Sequence, residues 1–321
     1  MTSSSTRRVR VVEVEPVADR IKRFRFVDVS GEKLPTFSGG SHVVVTMRAP
    51  DGHLWRNPYS LMGSPADASS YQISVCRADD SRGGSDYMHD NVRVGSELDV
   101  TNPINLFSIA RKARKHLLIA GGIGITPFMS MMHELAAANA NFELHYKVRS
   151  QTRGAFCNDL VRQYGSRVHT YRSDAGHALP LGTLLRDQPV GTHLYVCGPQ
   201  AMIDWALESG RAAGWPHENL HSEHFSAPRP GSPFTVKLAR SECEIQVGPQ
   251  QSILEALEQN GIDPPSLCRG GACGQCETRV LARTGALQHN DHYLTEEEKL
   301  GGEKIMICVS RTAGNCLTLD L

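Results

Sequence analysis

The chain lacks a net charge, a long apolar run and an apolar N-terminal segment. Its 321 residues carry 34 basic and 34 acidic side chains, so composition does not favour nucleic acid as a partner. The longest apolar stretch, around residues 121–132, is far shorter than the ~20 residues of a bilayer span. No apolar segment follows the charged start MTSSSTRRVR, so we expect no secretory signal and a cytoplasmic protein.

A disulfide framework and an internal repeat are also absent from the sequence. The nine cysteines are unevenly spaced, and in a reducing compartment clustered cysteines more often bind metal or carry out redox chemistry. Three of them stand within CRGGACGQC, residues 268–276, with glycines between them. Because 321 residues exceed one ordinary core, we expect two or three domains.

Two hydrophobic patterns divide the first two thirds of the chain. Residues 8–105 carry short β-branched runs separated by Gly, Pro and Asp turns, without a long helical period, which predicts a small antiparallel β-barrel. From residue 112 onward, buried strands alternate with helical segments, which predicts an α/β Rossmann-like domain with a parallel sheet. In its first helix, the apolar spacing of three and four involves Phe128, Met131, Met132 and Leu135.

A proline-rich segment, SAPRPGSP at 226–233, has the composition of a linker. The rest predicts a compact α+β module, with a hairpin in FTVKLARSECEIQV and capping boxes at Ser252–Glu255 and Thr295–Glu298. The predicted division is 1–108 for the barrel, 109–226 for the α/β domain, 227–233 for the linker and 234–321 for the last module.

The cysteine loop has the spacing Cys268-x4-Cys273-x2-Cys276, which is that of a plant-type [2Fe–2S] site. Such a cluster needs four thiolates and backbone N–H donors, and glycines let a loop wrap closely around it. The fourth ligand is Cys308 or Cys316, and we favour Cys308 because it lies in the apolar run KIMICVS, which predicts a strand returning beside the loop. A zinc site and unligated thiols are the alternatives.

The whole chain resembles the phthalate dioxygenase reductase family, which includes vanillate demethylase reductases. The resemblance rests on five motifs, which follow one another along the chain as RNPYSL, RGGS, GGIGITP, CGP and CRGGACGQC. It implies an antiparallel flavin barrel, an NAD domain and a C-terminal β-grasp ferredoxin on one polypeptide, with cluster ligands Cys268, Cys273, Cys276 and Cys308.

The resemblance also implies a flavin site in the barrel. RNPYSL resembles an R-x-Y-S motif, but Arg56 stands three residues before Tyr59, and Asn57 occupies the place two before it. Tyr59 is implied to pack on the flavin and Ser60 to donate near its redox-active edge. The flavin phosphate is implied to bind at RGGS, and we favour FMN over FAD there; the residues are Arg82, Gly83, Gly84 and Ser85.

The nicotinamide motifs follow two buried strands. AGGIGITP lacks a full G-x-G-x-x-G, but the resemblance assigns it to the nucleotide, together with CGP across the sheet's switch point. The implied residues are Gly121, Gly122, Gly124, Thr126, Pro127, Cys197, Gly198 and Pro199. Arg149, Ser150 and Asp174 are expected near the adenosine ribose, which favours NADH, whereas Arg172 leaves NADPH open.

The resemblance implies a reductase that takes hydride from a nicotinamide and passes single electrons to a terminal Rieske-type oxygenase, in aromatic catabolism. We expect Ser60, Thr126, Cys197 and Phe225 to border the reacting rings, with Glu223 beside them. A cytochrome P450 or carnitine-type oxygenase as acceptor, and a non-catalytic cluster carrier or sensor, are the alternatives. We expect a monomer that docks its partner on an exposed rim around Arg269 and Gln275.

Overall fold

A computed structural model of the protein describes residues 6–321. The first five residues, with which the predicted barrel domain and the charged N-terminal segment begin, lie outside the described part. The chain divides into two compact units, one ending at His224 and one spanning Phe225–Leu321. Within residues 6–321, no helix combines the length and the apolar composition needed to cross a membrane.

The first unit begins with an antiparallel β-sheet. Its elements are β1 (Thr6–Ala18), β2 (Ile21–Asp28), β3 (Ser41–Arg48), β4 (Leu54–Ser60), β5 (Tyr71–Cys76), α1 (Gly84–Asp90), β6 (Glu97–Thr101) and β7 (Ile104–Asn105). The strand order is β4-β3-β6-β1-β2-β5, with β7 paired to β3. Just beyond β4, Met62 N donates to Gln72 O on β5 at 2.9 Å, which brings the two edges of the sheet together as a barrel.

The barrel core follows the alternation that the β-branched runs predicted. Alternate side chains of the central strands are fully buried, and they include Val9, Val11, Phe24, Phe26, Val43 and Val45. The short helix α1 was not visible as a helical period, because seven residues give less than two turns of pattern.

The first unit continues as a parallel α/β layer. Its elements are β8 (Lys115–Gly121), α2 (Thr126–Ala137), β9 (Phe142–Val148), α3 (Cys157–Tyr164), β10 (Val168–Arg172), α4 (Leu181–Arg186), β11 (Thr192–Cys197), α5 (Gln200–Ala212) and β12 (Leu220–Glu223), with 3-10 turns at Gly122–Ile125, Gly165–Arg167, Ser173–Ala175 and His217–Asn219. The strand order β10-β9-β8-β11-β12 places the topological switch point between β8 and β11. The predicted apolar face of α2 is buried.

The barrel and the α/β layer meet at α2. Gly39 N donates to Glu134 Oε2 at 2.6 Å, and Gly40 N donates to Ser130 Oγ at 3.1 Å. A Cβ on Gly39 would lie 2.7 Å from the Met131 Cα, so only glycine lets the two backbones come this close. This packing fixes the barrel strands relative to the loops of the α/β layer.

The second unit is a mixed sheet covered by a helix. Its elements are β13 (Phe234–Leu238), β14 (Cys243–Val247), α6 (Ile253–Gln259), β15 (Glu277–Arg283), β16 (Leu287–Gln288), α7 (Glu296–Gly301), β17 (Lys304–Met306), β18 (Arg311–Thr312) and β19 (Cys316–Leu319). The order is β14-β13-β19-β15-β17, with β13 and β19 parallel, and β16 pairs with β18 separately. Both predicted capping boxes are present, at the starts of α6 and α7.

The proline-rich segment before β13 contains neither helix nor strand, yet it is bonded to the second unit. Asn290 Nδ2 donates to Ala227 O at 2.9 Å, and Gly231 N donates to Pro249 O at 3.0 Å. The buried Arg311 donates to Ser232 O at 3.0 Å. The segment is therefore anchored along most of its length.

Candidate functional site

Two glycine-containing loops meet at the switch point of the parallel sheet. A Cβ on Gly124 would overlap the Cys197 carbonyl group and lie 2.7 Å from Gly198 N. A Cβ on Gly198 would in turn lie 3.0 Å from the Gly121 Cα. The loops after β8 and β11 are therefore in backbone contact, which brings together the motifs GGIGITP and CGP that the sequence assigned to a nicotinamide nucleotide.

The first loop and the start of the helix that follows it are held by side-chain hydrogen bonds. Thr126 is buried, and its Oγ1 donates to Ile123 O at 3.0 Å. Pro127 is also buried in the first turn of α2, and Tyr146 Oη donates to Gly122 O at 3.1 Å. The loop is thus rigid before any nucleotide binds, with its 3-10 turn leading directly into α2.

A hydroxyl, a thiol and a carboxyl converge beside these loops. Cys197 and Glu223 are register partners on β11 and β12, and Ser60 Oγ at the end of β4 lies 3.5 Å from Glu223 Oε2. Burial raises the pKa of Glu223 to about 8, with the hydrogen bond from Ser60 acting in the opposite direction. Burial, with Glu223 nearby, raises the pKa of Cys197 well above its usual range. Near pH 7 both groups are mainly neutral hydrogen-bond donors.

The raised pKa of Glu223 predicts a pH-dependent stability. Between about pH 4.5 and 8 the folded protein holds a proton on Glu223 that the unfolded chain releases, so this contribution decreases as pH rises. We expect Glu223→Gln to remove a slope of up to ~1 kcal/mol per pH unit from the free energy of unfolding. Urea unfolding at pH 5, 6.5 and 8 measures it. The exposed Glu218→Gln is the matched control, and an unchanged slope in Glu223→Gln would contradict the assignment.

The residues predicted near the adenosine ribose lie together after β9 and β10. Asp174 N donates to Arg149 O at 3.0 Å, and Ser150 follows Arg149 directly. Arg172 Nε donates to Asp174 Oδ1 at 3.1 Å, and this hydrogen bond lowers the pKa of the Asp174 carboxyl. Arg172, which left NADPH open as the electron donor, is therefore paired with Asp174, the carboxylate that favoured NADH.

The flavin motif lies on β4, where successive side chains point to opposite faces of the sheet. Asn57 and Tyr59 share one face of the strand and Arg56 points to the other, so Asn57 takes the place that the R-x-Y-S pattern gives to arginine. Asn57 Nδ2 donates to Tyr59 Oη at 3.3 Å, and burial raises the pKa of Tyr59 to about 12. Ser60 is buried at the end of the strand.

RGGS packs against the same face of β4. A Cβ on Gly83 (φ +99°) would lie 2.8 Å from the Trp55 indole, and one on Gly84 would lie 3.1 Å from Asn57 Cγ. Trp55 Nε1 also donates to Arg82 O at 2.9 Å. We did not identify Trp55 from the sequence, although its alternation with Asn57 and Tyr59 was visible. Ser85 Oγ donates to Ser81 Oγ at 2.9 Å, which ties the loop to itself.

The structure brings together the four cysteines that the resemblance assigned to a cluster. Cys268, Cys276 and Cys308 are buried, and Cys273 is half-buried. Cys308 lies in the turn after β17 and not within a strand as predicted, because β17 ends at Met306. Cys316 lies on β19, where it pairs with Thr235 of β13.

Hydrogen bonding around these thiols fits an anionic cluster. The amides of Gly270 and Ala272 both donate to Cys268 Sγ at 3.4 Å. The pKa of Cys268 is lowered to about 5, first by the hydrogen bond from Cys273 and then by these amides, against the effect of burial. A hydrogen bond from Cys308 likewise lowers the pKa of Cys276. Thiolates supported by backbone donors are the donor set that a [2Fe–2S] cluster needs.

A second segment packs directly behind the cysteine loop, and the sequence analysis missed it. A Cβ on Gly271 (φ +74°) would lie 2.9 Å from Asp291 Cα, and one on Gly274 (φ +75°) would overlap the Tyr293 ring. Both glycines therefore serve close packing as well as backbone conformation. The ring of Tyr293 remains 49% exposed.

Of the two residues expected on an exposed docking rim, Arg269 and Gln275, only Gln275 is exposed. The Arg269 side chain is only 8% exposed and makes two hydrogen bonds of 2.7 Å to the Glu258 carboxylate of α6. Its charge is thus neutralised within the module, whereas Gln275 is exposed as expected. Phe225, also predicted at the reacting rings, is the first residue of the second unit and is 49% exposed.

Comparison with known proteins supports this architecture. Two family models match the chain: "Dimethylamine monooxygenase subunit DmmA-like, N-terminal domain" over residues 103–220, and "2Fe-2S iron-sulfur cluster binding domain" over residues 236–313. A carnitine monooxygenase reductase subunit of Acinetobacter baumannii is 44% identical, covering 97% of this chain and 96% of that protein. The β subunit of a heme-dependent oxidative N-demethylase of Ectopseudomonas mendocina is 43% identical, with 98% of each covered.

The solved structure of phthalate dioxygenase reductase superposes with a TM-score of 0.87 at 33% identity, covering 99% of this chain and 98% of that one. That protein is described as a modular structure for electron transfer from pyridine nucleotides to [2Fe–2S]. The predicted fold class, with barrel, α/β layer and C-terminal ferredoxin module, is therefore confirmed. The chain belongs to the phthalate dioxygenase reductase family and is an electron-transfer oxidoreductase, as its sequence predicted.

Proposed function

We propose that this protein is the reductase component of a Rieske-type oxygenase or demethylase system. It takes hydride from NADH onto FMN and delivers single electrons through a [2Fe–2S] cluster to the oxygenase. The observation that carries the proposal is the presence, on one chain, of two interlocked nucleotide loops and a group of four cysteines supported by amides. A flavin accepts a hydride and releases electrons singly, so it links a nicotinamide to a one-electron cluster.

We assign the predicted modules to these steps: residues 1–108 to FMN, 109–226 to the nucleotide and 234–321 to the cluster, with 227–233 between them. Asn57, Tyr59 and the RGGS loop line one face of β4, which supports a flavin ending in a single phosphate there. Arg56 points to the other face of β4, so Asn57 takes its place in the proposed flavin site. The cluster ligands are Cys268, Cys273, Cys276 and Cys308.

At the reacting rings, the protein contributes position and neutral hydrogen-bond donors. Ser60, Cys197 and Glu223 come together at the ends of β4, β11 and β12. No group there needs to act as a general base, because hydride transfer moves no proton to the protein. Thr126 and Phe225 are the remaining residues assigned to this region, Thr126 through the rigid start of α2.

NADH is the proposed donor because Arg172 is held by Asp174. Two hydrogen bonds, of 3.1 and 3.3 Å, join the guanidinium to the carboxylate. A 2′-phosphate would have to replace that carboxylate as the partner of Arg172, whereas a ribose with free hydroxyls leaves the pair intact. The chain is proposed to act as a cytoplasmic monomer, since one copy holds all four thiols and both loops.

The direct test is anaerobic mixing of the purified protein with NADH. We expect the flavin absorption to bleach first and the cluster absorption afterwards, and extraction should release FMN. Protein that carries no flavin when purified, or that binds zinc in place of iron and sulfide, would refute the proposal. NADPH under the same conditions is expected to react more slowly.

A haem-dependent N-demethylase is a second candidate acceptor. Its support is the 43% identical β subunit of a heme-dependent oxidative N-demethylase, together with the dimethylamine monooxygenase model over residues 103–220. Reconstitution with a purified oxygenase of each class distinguishes the two. Faster NADH-dependent turnover with the haem protein would replace the Rieske-type assignment, while leaving the reductase chemistry in place.

A further inference from the structure

A cluster of histidine and carboxylate side chains lies in the α/β layer, apart from the nucleotide loops. Glu143 and His145 are two residues apart on β9, and His169 pairs in register with His145 on the neighbouring parallel strand β10. Side chains spaced by two on one strand, and register partners on the next, project from the same face of a sheet. The three side chains are therefore neighbours on one face of the sheet, carried by two adjacent strands.

The distances within this cluster are those of adjacent ligands around one ion. Glu143 Oε1 lies 3.1 Å from His145 Nε2 and 3.0 Å from His169 Nε2. All three ligand atoms lie within 4.8 Å of one another. Bonds of ~2.0–2.2 Å to nitrogen and oxygen in a tetrahedron place neighbouring ligands roughly 3.3 Å apart.

Two of the three ligands are oriented by a further partner. His145 Nδ1 lies 2.8 Å from Tyr171 Oη, so the ring is held with Nε2 toward the cluster. Lys115 Nζ donates to the other carboxylate oxygen, Glu143 Oε2, at 2.6 Å, which leaves Oε1 for the centre of the cluster. Outer partners of this kind are typical of histidine and carboxylate ligands in metal sites.

The hydrogen bonding of the cluster suits ligation. His145 has a partner at each ring nitrogen, Glu143 Oε1 at Nε2 and Tyr171 Oη at Nδ1. In the metal-free form, Nε2–H groups can donate to the carboxylate. Moving the His145 proton to Nδ1, where Tyr171 Oη can accept it, presents an Nε2 lone pair without releasing a proton.

One of the three side chains must move before all three can bind the same ion. The His145 and His169 rings are stacked with centroids 4.8 Å apart and planes inclined by 17°, so their lone pairs do not yet meet at one point. The side chain of His169 is 43% exposed, and rotation about its side-chain bonds is open to it at the surface. The same exposure gives an ion and its water ligands a route of entry.

We propose that Glu143, His145 and His169 form a binding site for a divalent transition-metal ion, with Zn²⁺ as the best fit. Two imidazoles and one carboxylate, with a fourth position open to water, match known three-ligand zinc sites. The site lies near the beginnings of β9 and β10, whereas Arg149 and Asp174 follow the ends of these strands. Four residues separate His145 from Arg149 and six separate Glu143 from it, which is ~13 to ~20 Å of strand, so this site is separate from the nucleotide.

The test is a Zn²⁺ titration of the purified holoprotein by calorimetry, with crystals soaked in Zn²⁺ for anomalous diffraction. Wild type is expected to bind one Zn²⁺ more than His169→Ala or Glu143→Gln, and Tyr171→Phe should weaken that binding by ~10-fold. Comparing variants removes the contribution of zinc bound by cysteines, which all of them share. The exposed His217→Ala is the matched control and should bind as wild type does.

Equal Zn²⁺ stoichiometry in wild type and His169→Ala, or an anomalous peak elsewhere with none at this cluster, would overturn the proposal. NADH-dependent reduction of ferricyanide should be unchanged in His169→Ala, because none of the three ligands belongs to the proposed electron path. That readout, with the flavin and cluster spectra, shows that the variant has folded. It also separates failure of the metal site from failure of the reductase assignment.

Discussion

Replacing Cys273 with serine should remove the cluster while leaving the flavin half of the reaction intact. The variant is expected to lose the visible absorption of the [2Fe–2S] group, and NADH-dependent reduction of an oxygenase should fall to background. Ferricyanide reduction by NADH should stay close to wild type, because that acceptor takes electrons from the flavin. The physical reason is the position of the thiol: Cys273 shares a hydrogen bond with Cys268 within the group of four cysteines.

The matched control is Cys316→Ser, which should retain the cluster because Cys316 lies on β19, paired with Thr235. Cys308→Ser should behave like Cys273→Ser, since Cys308 is hydrogen-bonded to Cys276. Absorption, iron and sulfide content measure all three variants. Parallel loss of ferricyanide and oxygenase reduction in Cys273→Ser would contradict the proposed order of electron transfer.

Replacing Gly124 with alanine should slow reduction of the flavin by NADH by ~100-fold, the cost of misplacing reacting groups by about an ångström. The added methyl group would overlap the Cys197 carbonyl and approach Gly198 N to 2.7 Å, and these are backbone atoms that cannot rotate away. The two nucleotide loops would have to separate. Stopped-flow absorbance under anaerobic conditions measures the rate, and the flavin spectrum reports that the barrel is intact.

Gly182→Ala is the control for the same chemical change. Gly182 lies in α4 with nothing within 4 Å of an added Cβ, so alanine there should leave the rate unchanged. A wild-type rate in Gly124→Ala would show that the loops tolerate separation, and the contact between GGIGITP and CGP would then lose its proposed role.

Local patterns were sufficient to predict most of the longer elements, though not α1 or the turn that holds Cys308. The spacing of Phe128, Met131, Met132 and Leu135 predicted α2, and all four are buried there. Ser252 and Glu255 form the reciprocal cap that their spacing predicted. Both signals act within one or two turns of chain, where sequence distance and spatial distance agree. The order of the three modules was likewise predictable, because each has its own period and its own motif.

Contacts between distant segments were not predictable in this way. Arg269 was placed on an exposed rim because its neighbours in sequence are loop residues, yet its partner Glu258 lies on α6. Tyr293 packs on Gly274 from a segment that carries no motif. In the sequence, only Gly274 itself indicated that another segment packs closely at this position. Trp55 was missed for a related reason, since its contact at Gly83 comes from the fold of the barrel.

The anchored segment before β13 sets an effective concentration for the cluster module. β12 ends at Glu223, and Ala227 O already accepts a hydrogen bond from Asn290, so only three residues of chain lie between these two points. Three extended residues span roughly 10 Å. So short a tether keeps the two units at millimolar local concentration or above, however dilute the protein is. Delivery of electrons to the cluster is therefore independent of protein concentration, and only the encounter with the oxygenase depends on it.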